Sequence, residues 1–166
     1  GSTVAVFGAA GAIGGLAVEM GRAKGLRVIA VAAQQDFDLV KQMGADLVVP
    51  KGEHAAQAIR EETDGGVDGL IDAARVGRPV LPAVRDEGHI VSLMPFPGDT
   101  ERDIKIDRVF VVDELENADA LSEIKDLAAR KVISPRVAKT LAPDQVGEAH
   151  RMLERGGVRG RPVILF

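Results

Sequence analysis

The apolar positions of this chain follow two alternating rhythms. Runs at Thr3 to Phe7, Arg27 to Ala33, Asp46 to Val49, Asp68 to Asp72, His89 to Leu93 and Ile106 to Val112 have the length and β-branched content of strands. Several are apolar at nearly every position, the pattern of a parallel strand covered on both faces. Between them the spacing lengthens. Ile13, Leu16, Ala17 and Met20 recur at i, i+3, i+4 and i+7 and predict a helix ending near Gly25, which the small residues Gly15 and Ala17 would let sit close on the sheet. Phe37 to Met43 is a second helical stretch, stopped by Gly44. A third runs from about Glu53 to Glu62, and a weaker one from Arg78 to Val84. Residues 94–99, "MPFPGD", read as a surface loop. Strand, helix and strand repeated with short connections predict an α/β fold with right-handed crossovers: a doubly wound, mostly parallel six-stranded sheet with helices on both faces. Arg136 to Leu141 and Pro162 to Phe166 add a C-terminal strand–helix–strand segment.

The first strand runs straight into glycine. "VAVFGAAGAIGG", residues 4–15, contains Gly8, Gly11 and Gly14 in the pattern G-x-x-G-x-x-G at a strand-to-helix junction. A tight turn there needs residues without Cβ, and so does a backbone that must approach a ligand closely. The first amides of the helix have no intrahelical partner and lie at the positive end of its dipole, so a pyrophosphate suits the place. The other explanation is that small residues simply permit a sharp turn and close packing. Position after the first strand of a βαβ unit favours dinucleotide binding.

Composition removes other functions. The 166 residues carry a formal charge of −4 and a pI near 5.4, which gives no basic footprint for nucleic acid or an anionic membrane. No apolar run approaches the roughly 20 residues of a membrane span, and a cytoplasmic location is expected. With no Cys there is no thiolate ligand or thiol nucleophile in the chain, and Tyr and Trp are also absent. His54 and His150 lie in polar helical stretches and His89 opens a strand, none with a ligand partner at helical spacing, so no catalytic or metal-binding residue is assigned. Asp36 reads as a cap or first-turn acid of the helix from Phe37, and Arg155, Arg159 and Arg161 as neighbours of a surface Gly-Gly turn.

The stretch "VFGAAGAIGGLAVEMGRAKGLRVIAVAAQQDFDLVKQMGAD" resembles the nucleotide-binding domain of medium-chain dehydrogenases/reductases, in the quinone oxidoreductase branch. "MGADLVV", "VDGLIDAA", "RDEGHIVSL" and "DQVGEAHRMLERGGVRGRPVILF" are similar, in order, to that family's later strands and terminal helix–strand segment. The resemblance implies a Rossmann-type fold over residues 1–133. Residues 134–166 would be a segment that packs on a GroES-like catalytic domain preceding this region. It further implies an oxidoreductase that transfers hydride from a nicotinamide cofactor to a quinone or an activated enone or carbonyl. By residue-for-residue carry-over, Gly8, Ala10, Gly11, Ala12, Ile13 and Gly14 would cradle the pyrophosphate, and Ala33 and Gln34 the adenosine ribose. Ala73, Ala74 and Arg75 would form the edge of the cleft, with Ser92, Leu93 and Met94 along the nicotinamide.

Ala32 and Ala33 leave the end of the second strand uncharged, which favours NADP(H), with NAD(H) possible. The resemblance also implies a homodimer formed by pairing the last sheet strand through Val109 to Val112, since a bare apolar edge invites association. Because the family's substrate pocket lies between its two domains, this chain alone is expected to bind cofactor without turnover. A short-chain dehydrogenase is excluded by the absence of Tyr. The remaining alternative is a stand-alone nucleotide-sensing module of the same fold, which binds without catalysis.

Overall fold

A computed structural model describes all 166 residues, Gly1–Phe166. The elements run in order β1 (Thr3–Phe7), α1 (Ala12–Ala23), β2 (Arg27–Ala32), α2 (Phe37–Met43), β3 (Leu47–Pro50), α3 (Ala55–Glu62), β4 (Val67–Asp72), β5 (Val84–Ser92), β6 (Lys105–Arg108), α4 (Ala118–Ala129), β7 (Val137–Leu141), α5 (Val146–Arg155) and β8 (Arg161–Ile164). The first six strands form one sheet in the order β3-β2-β1-β4-β5-β6, every pair parallel. The chain winds outward from β1 through β2 to β3, then returns to β4 and winds the other way. A doubly wound sheet of this order opens a crevice beyond the strand ends where the winding reverses, between β1 and β4.

Alternation along the central strands explains why both faces are apolar. Ala5 and Phe7 of β1 join Ile29 and Val31 of β2 in one buried cluster, with Ile59 of α3 and Leu81 of a 3-10 turn over Arg78–Ala83. Val6, Val28 and Ala30 point the opposite way, against Val18 of α1 and Val40 and Met43 of α2. Each face of the sheet therefore has its own helical cover, and full burial of one such Val or Ile contributes roughly 1.5–3 kcal/mol.

Helix α1 lies where expected, with Gly15 on its buried face and Ala17 only partly buried. Its buried positions are Gly14, Gly15, Val18 and Gly21, while Ile13 is exposed. Apolar periodicity gives glycine no weight, yet glycine forms the contact face because the helix sits too close to the sheet for larger side chains. A Cβ at Gly21 would stand 2.9 Å from Val28 Cγ2, and one at Gly14 only 2.2 Å from the Gly8 carbonyl oxygen.

Two strand boundaries also differ. β5 begins at Val84 rather than His89, through an irregularity in its pairing with β4 that accommodates Glu87 at a φ of 59°. At the sheet edge, β6 ends at Arg108, and Val111–Glu114 form a 3-10 turn, so the strand expected through Val112 is not formed. Edge residues lack a second neighbour, and the aspartate–glutamate pair ending this run suits a turn better than a sheet. β7 and β8 lie outside the main sheet and pair with each other in parallel. No helix is long and apolar enough to cross a membrane.

Candidate functional site

Beyond the C-terminal ends of β1, β2, β4 and β5 lies a cleft of about 760 Å³, within the roughly 300–1,000 Å³ common for ligand pockets. Its floor is the glycine loop. Gly8 has a φ of +75°, the left-handed region that favours glycine, and its carbonyl accepts the Gly11 N–H at 2.9 Å to close the turn. The chain then enters α1 with Gly11 extended at the cap and no side chain occupying the amides ahead of it. The N–H groups of Ala12, Ile13 and Gly14 donate to no backbone carbonyl and point the helix dipole at the cleft. Close packing of Gly14 against Gly8 brings these donors to the floor.

A second wall is built by a buried carboxylate. Asp72, at the end of β4 and 1% exposed, accepts hydrogen bonds from the backbone N–H groups of Ala74, Val76 and Gly77 at 3.2, 3.0 and 2.9 Å. These bonds fix the turn after β4 and hold Arg75 at a φ of +60°, a conformation costly for a side chain of its size. Nothing in the strand pattern distinguished Asp72 from other strand-end acids.

Of the residues expected at the site, Gly8, Ala10, Gly11, Ala12, Ile13 and Gly14 line the cleft, as do Ala33, Ala73, Ala74, Arg75, Leu93 and Met94. Gln34 is exposed and off the wall. Ser92 is buried below the wall, its hydroxyl donating to the Met94 carbonyl at 2.8 Å, and so shapes the turn after β5.

The position expected of Gln34 is taken by a different group. Asp36 is buried, makes no helix-capping hydrogen bond, and instead accepts from Nε of Arg159. Arg159 is therefore not a free surface arginine: the turn through Gly156 and Gly157, both at positive φ, carries it over the cleft. Lys51 and Arg161 join the same rim. Sequence distance hid this cluster, because Asp36 and Arg159 are 123 positions apart.

The C-terminal segment is tied to the glycine loop at a further point. Arg136 lays its guanidinium over Gly15, where a Cβ would meet Nη2 at 1.9 Å, and donates to the Gly11 carbonyl at 2.9 Å. Glu19 of α1 accepts the Ser134 N–H at 2.8 Å.

The histidines lie elsewhere. His89 meets Asp107 at 2.5 Å across β5 and β6, three residues before the cleft end of its strand, and His54 and His150 are exposed. No three His, Cys, Asp or Glu side chains converge on a point that could hold a metal ion.

Comparison with known proteins agrees with this fold. The family model described as zinc-binding dehydrogenase matches residues 12–110. An alcohol dehydrogenase from Geobacillus stearothermophilus is 45% identical over 76 residues, 45% of this chain and 22% of that protein. The NAD-dependent alcohol dehydrogenase of Sulfolobus acidocaldarius is 27% identical over 175 residues, 98% of this chain and 50% of that one. A mycobacterial structure complexed with NADPH shares the fold with a TM-score of 0.85 at 24% identity, covering 100% of this chain and 57% of that one. The chain spans about half the length of the curated relatives it matches from end to end. Strand order, glycine floor and the match over residues 12–110 lead to one assignment: the chain belongs to the zinc-binding dehydrogenase family, as a nucleotide-binding domain of the medium-chain dehydrogenase/reductase type.

Proposed function

We propose that this chain is the cofactor-binding half of a cytoplasmic oxidoreductase that uses NADP(H) to reduce a quinone or an activated enone or carbonyl. The observation that carries the reading is the glycine floor: three unpaired amides at the start of α1, brought to the cleft by the Gly8–Gly14 contact. In this reading the amides of Ala12, Ile13 and Gly14 hold the pyrophosphate. Ala33 and its neighbours flank the adenosine ribose, Ala73 to Arg75 form the rim, and Leu93 and Met94 shield one face of the nicotinamide. The cofactor supplies the hydride; the residues of this chain bind it, orient it and keep water from one side. Residues 1–133 act as the dinucleotide-binding unit and residues 134–166 as a segment that packs on a preceding catalytic domain. The NADPH complex of the mycobacterial neighbour and the NAD dependence of the Sulfolobus relative both support a nicotinamide cofactor. Membership of a dehydrogenase family favours this reading over a nucleotide sensor.

The free outer edge of β6 is followed by exposed Val109, Phe110, Val111 and Val112, an apolar run suited to a second copy of the chain. A homodimer through this edge is part of the proposal, with Phe110→Asp expected to shift the sedimenting species to monomer.

Calorimetric titration with NADPH and NADH tests the cofactor. Saturable binding of NADPH, tighter than NADH, is expected, and NADH binding tenfold tighter would reverse the preference. Mixing the chain with NADPH and 1,4-benzoquinone should give cofactor oxidation no faster than a protein-free control. Multiple turnovers above that background would show that the chain needs no second domain.

A further inference from the structure

The rim of the cleft is electrically lopsided. Asp36 is the sole carboxylate among the lining residues, against Lys51, Arg75, Arg159 and Arg161, in a chain whose formal net charge is −4. Three of these charged residues stand near the end of β2. Asp36 lies in the 3-10 turn directly after it, and the Lys51 N–H donates to the Ala32 carbonyl at 2.8 Å, which fixes Lys51 beside the same strand end. Arg159 arrives from the far end of the sequence and bonds Asp36 through Nε alone. Its two Nη groups make no hydrogen bond, and 45% of the side chain is exposed.

An acid at this strand end ordinarily selects the ribose 2′-hydroxyl and repels a 2′-phosphate. Here the acid is 11% exposed at its side chain and already paired, so its charge is spent on the guanidinium. Arg159 lines the cleft with both Nη groups uncommitted, a planar pair of donors matched to phosphate oxygens. We infer that Arg159 is the residue by which this protein distinguishes NADP(H) from NAD(H). Asp36 orients it through Nε, its Nη edge takes the 2′-phosphate, and Lys51 supplies the net positive charge that the neutral Asp36–Arg159 pair lacks. Cofactor choice is then carried by the C-terminal segment rather than by the loop after β2. The inference rests on the cofactor reading above and adds the residue that discriminates.

The test is calorimetric affinity for NADPH and NADH, measured on the wild type, Arg159→Gln and Arg159→Lys at two salt concentrations, with 2′-AMP and 5′-AMP as competing fragments. Loss of a partly exposed, charge-assisted pair predicts NADPH binding weakened about tenfold in Arg159→Gln. NADH affinity should stay within about twofold, and Arg159→Lys should recover part of the loss. In the wild type, 2′-AMP should compete better than 5′-AMP, and salt should weaken NADPH binding more than NADH binding. If the wild type binds both dinucleotides and Arg159→Gln weakens them equally or neither, Arg159 is not the discriminator while the cofactor reading stands. Should Arg159→Gln fail to fold, equal competition by the two fragments on the wild type overturns the assignment. A wild type that binds neither dinucleotide overturns both.

Discussion

Up to Arg108 the chain builds the two buried clusters that cover the central strands, with only edge strand β6 lacking a buried residue, whereas beyond Arg108 only Ile133, Leu141, Ala149 and Gly160 are buried. Helix α4 has no buried residue, and Leu121 and Ile124 stand exposed on it. The first region is held by apolar packing. The second is tied to the first through polar contacts made by few residues: Ser134 to Glu19, Arg136 to Gly11 and Arg159 to Asp36. The two regions nevertheless share one cleft, with a rigid floor from the sheet and a rim from the lightly anchored segment. Segments with little buried apolar surface open at lower free energy than the core, so the rim should respond to ionic strength and single substitutions where the floor does not.

Truncation in the two regions should separate them most widely. Ile90 is fully buried in the sheet, and Ile90→Ala should lower stability by about 3–4 kcal/mol. Leu121→Ala, at a residue 56% exposed, should cost less than about 0.5 kcal/mol. Urea denaturation of both variants checks the contrast, and equal losses would mean that α4 packs as core.

Next in size is Gly14→Ala. The new Cβ would lie 2.2 Å from the Gly8 oxygen, backbone against backbone, so the loop itself must move. A loss of about 2–3 kcal/mol is expected by overpacking, together with loss of dinucleotide binding. Stability loss without any change in binding would separate the fold from the site.

Arg136→Ala should act locally. It leaves the Gly11 carbonyl without this donor and Glu19 without its nearby guanidinium, at a cost of about 1–2 kcal/mol. Hydrogen exchange should quicken in β7 and β8 while β1 and β4 keep their protection.

The smallest effect is one of pH. The Thr3 N–H at 2.7 Å and then Arg85 at 2.8 Å hold the Asp68 carboxyl below its ordinary pKa. Because the folded value lies below the unfolded one, the contribution is present above about pH 4 and is lost as pH falls through the folded pKa. The side chain is 40% exposed, so screening limits this to a few tenths of a kcal/mol. Asp68→Asn should therefore narrow the stability difference between pH 7 and pH 3 slightly.

The same divide decides what the residues reveal in advance. Strands β1 to β4 announce themselves because burial on both faces demands apolar runs, and Gly8, Gly11 and Gly14 because a strand-to-helix turn demands missing side chains. The buried face of α1 carries little hydrophobic signal because it is mostly glycine, so only the smallness of Gly15 points to it in advance. Asp72 and Asp36 look like ordinary acids at element ends, and only the folded chain shows one holding a turn and the other holding Arg159. The overextended edge strand has a simpler cause. "RVFVV" has the composition of a strand, but pairing on one side only did not carry it past Arg108.

The amides at the start of α1 are the proposed seat of the pyrophosphate of a nicotinamide dinucleotide. Titrating NADPH into isotopically labelled protein and following each backbone amide by NMR examines that seat residue by residue. Saturable shifts should centre on Ala12, Ile13 and Gly14, with Ala73 to Arg75 and the 156–161 turn moving on the same binding curve. Shifts that leave Ala12 to Gly14 unmoved while NADPH binds elsewhere, for example at the polar depression beside Glu19 and Lys131, would contradict the account.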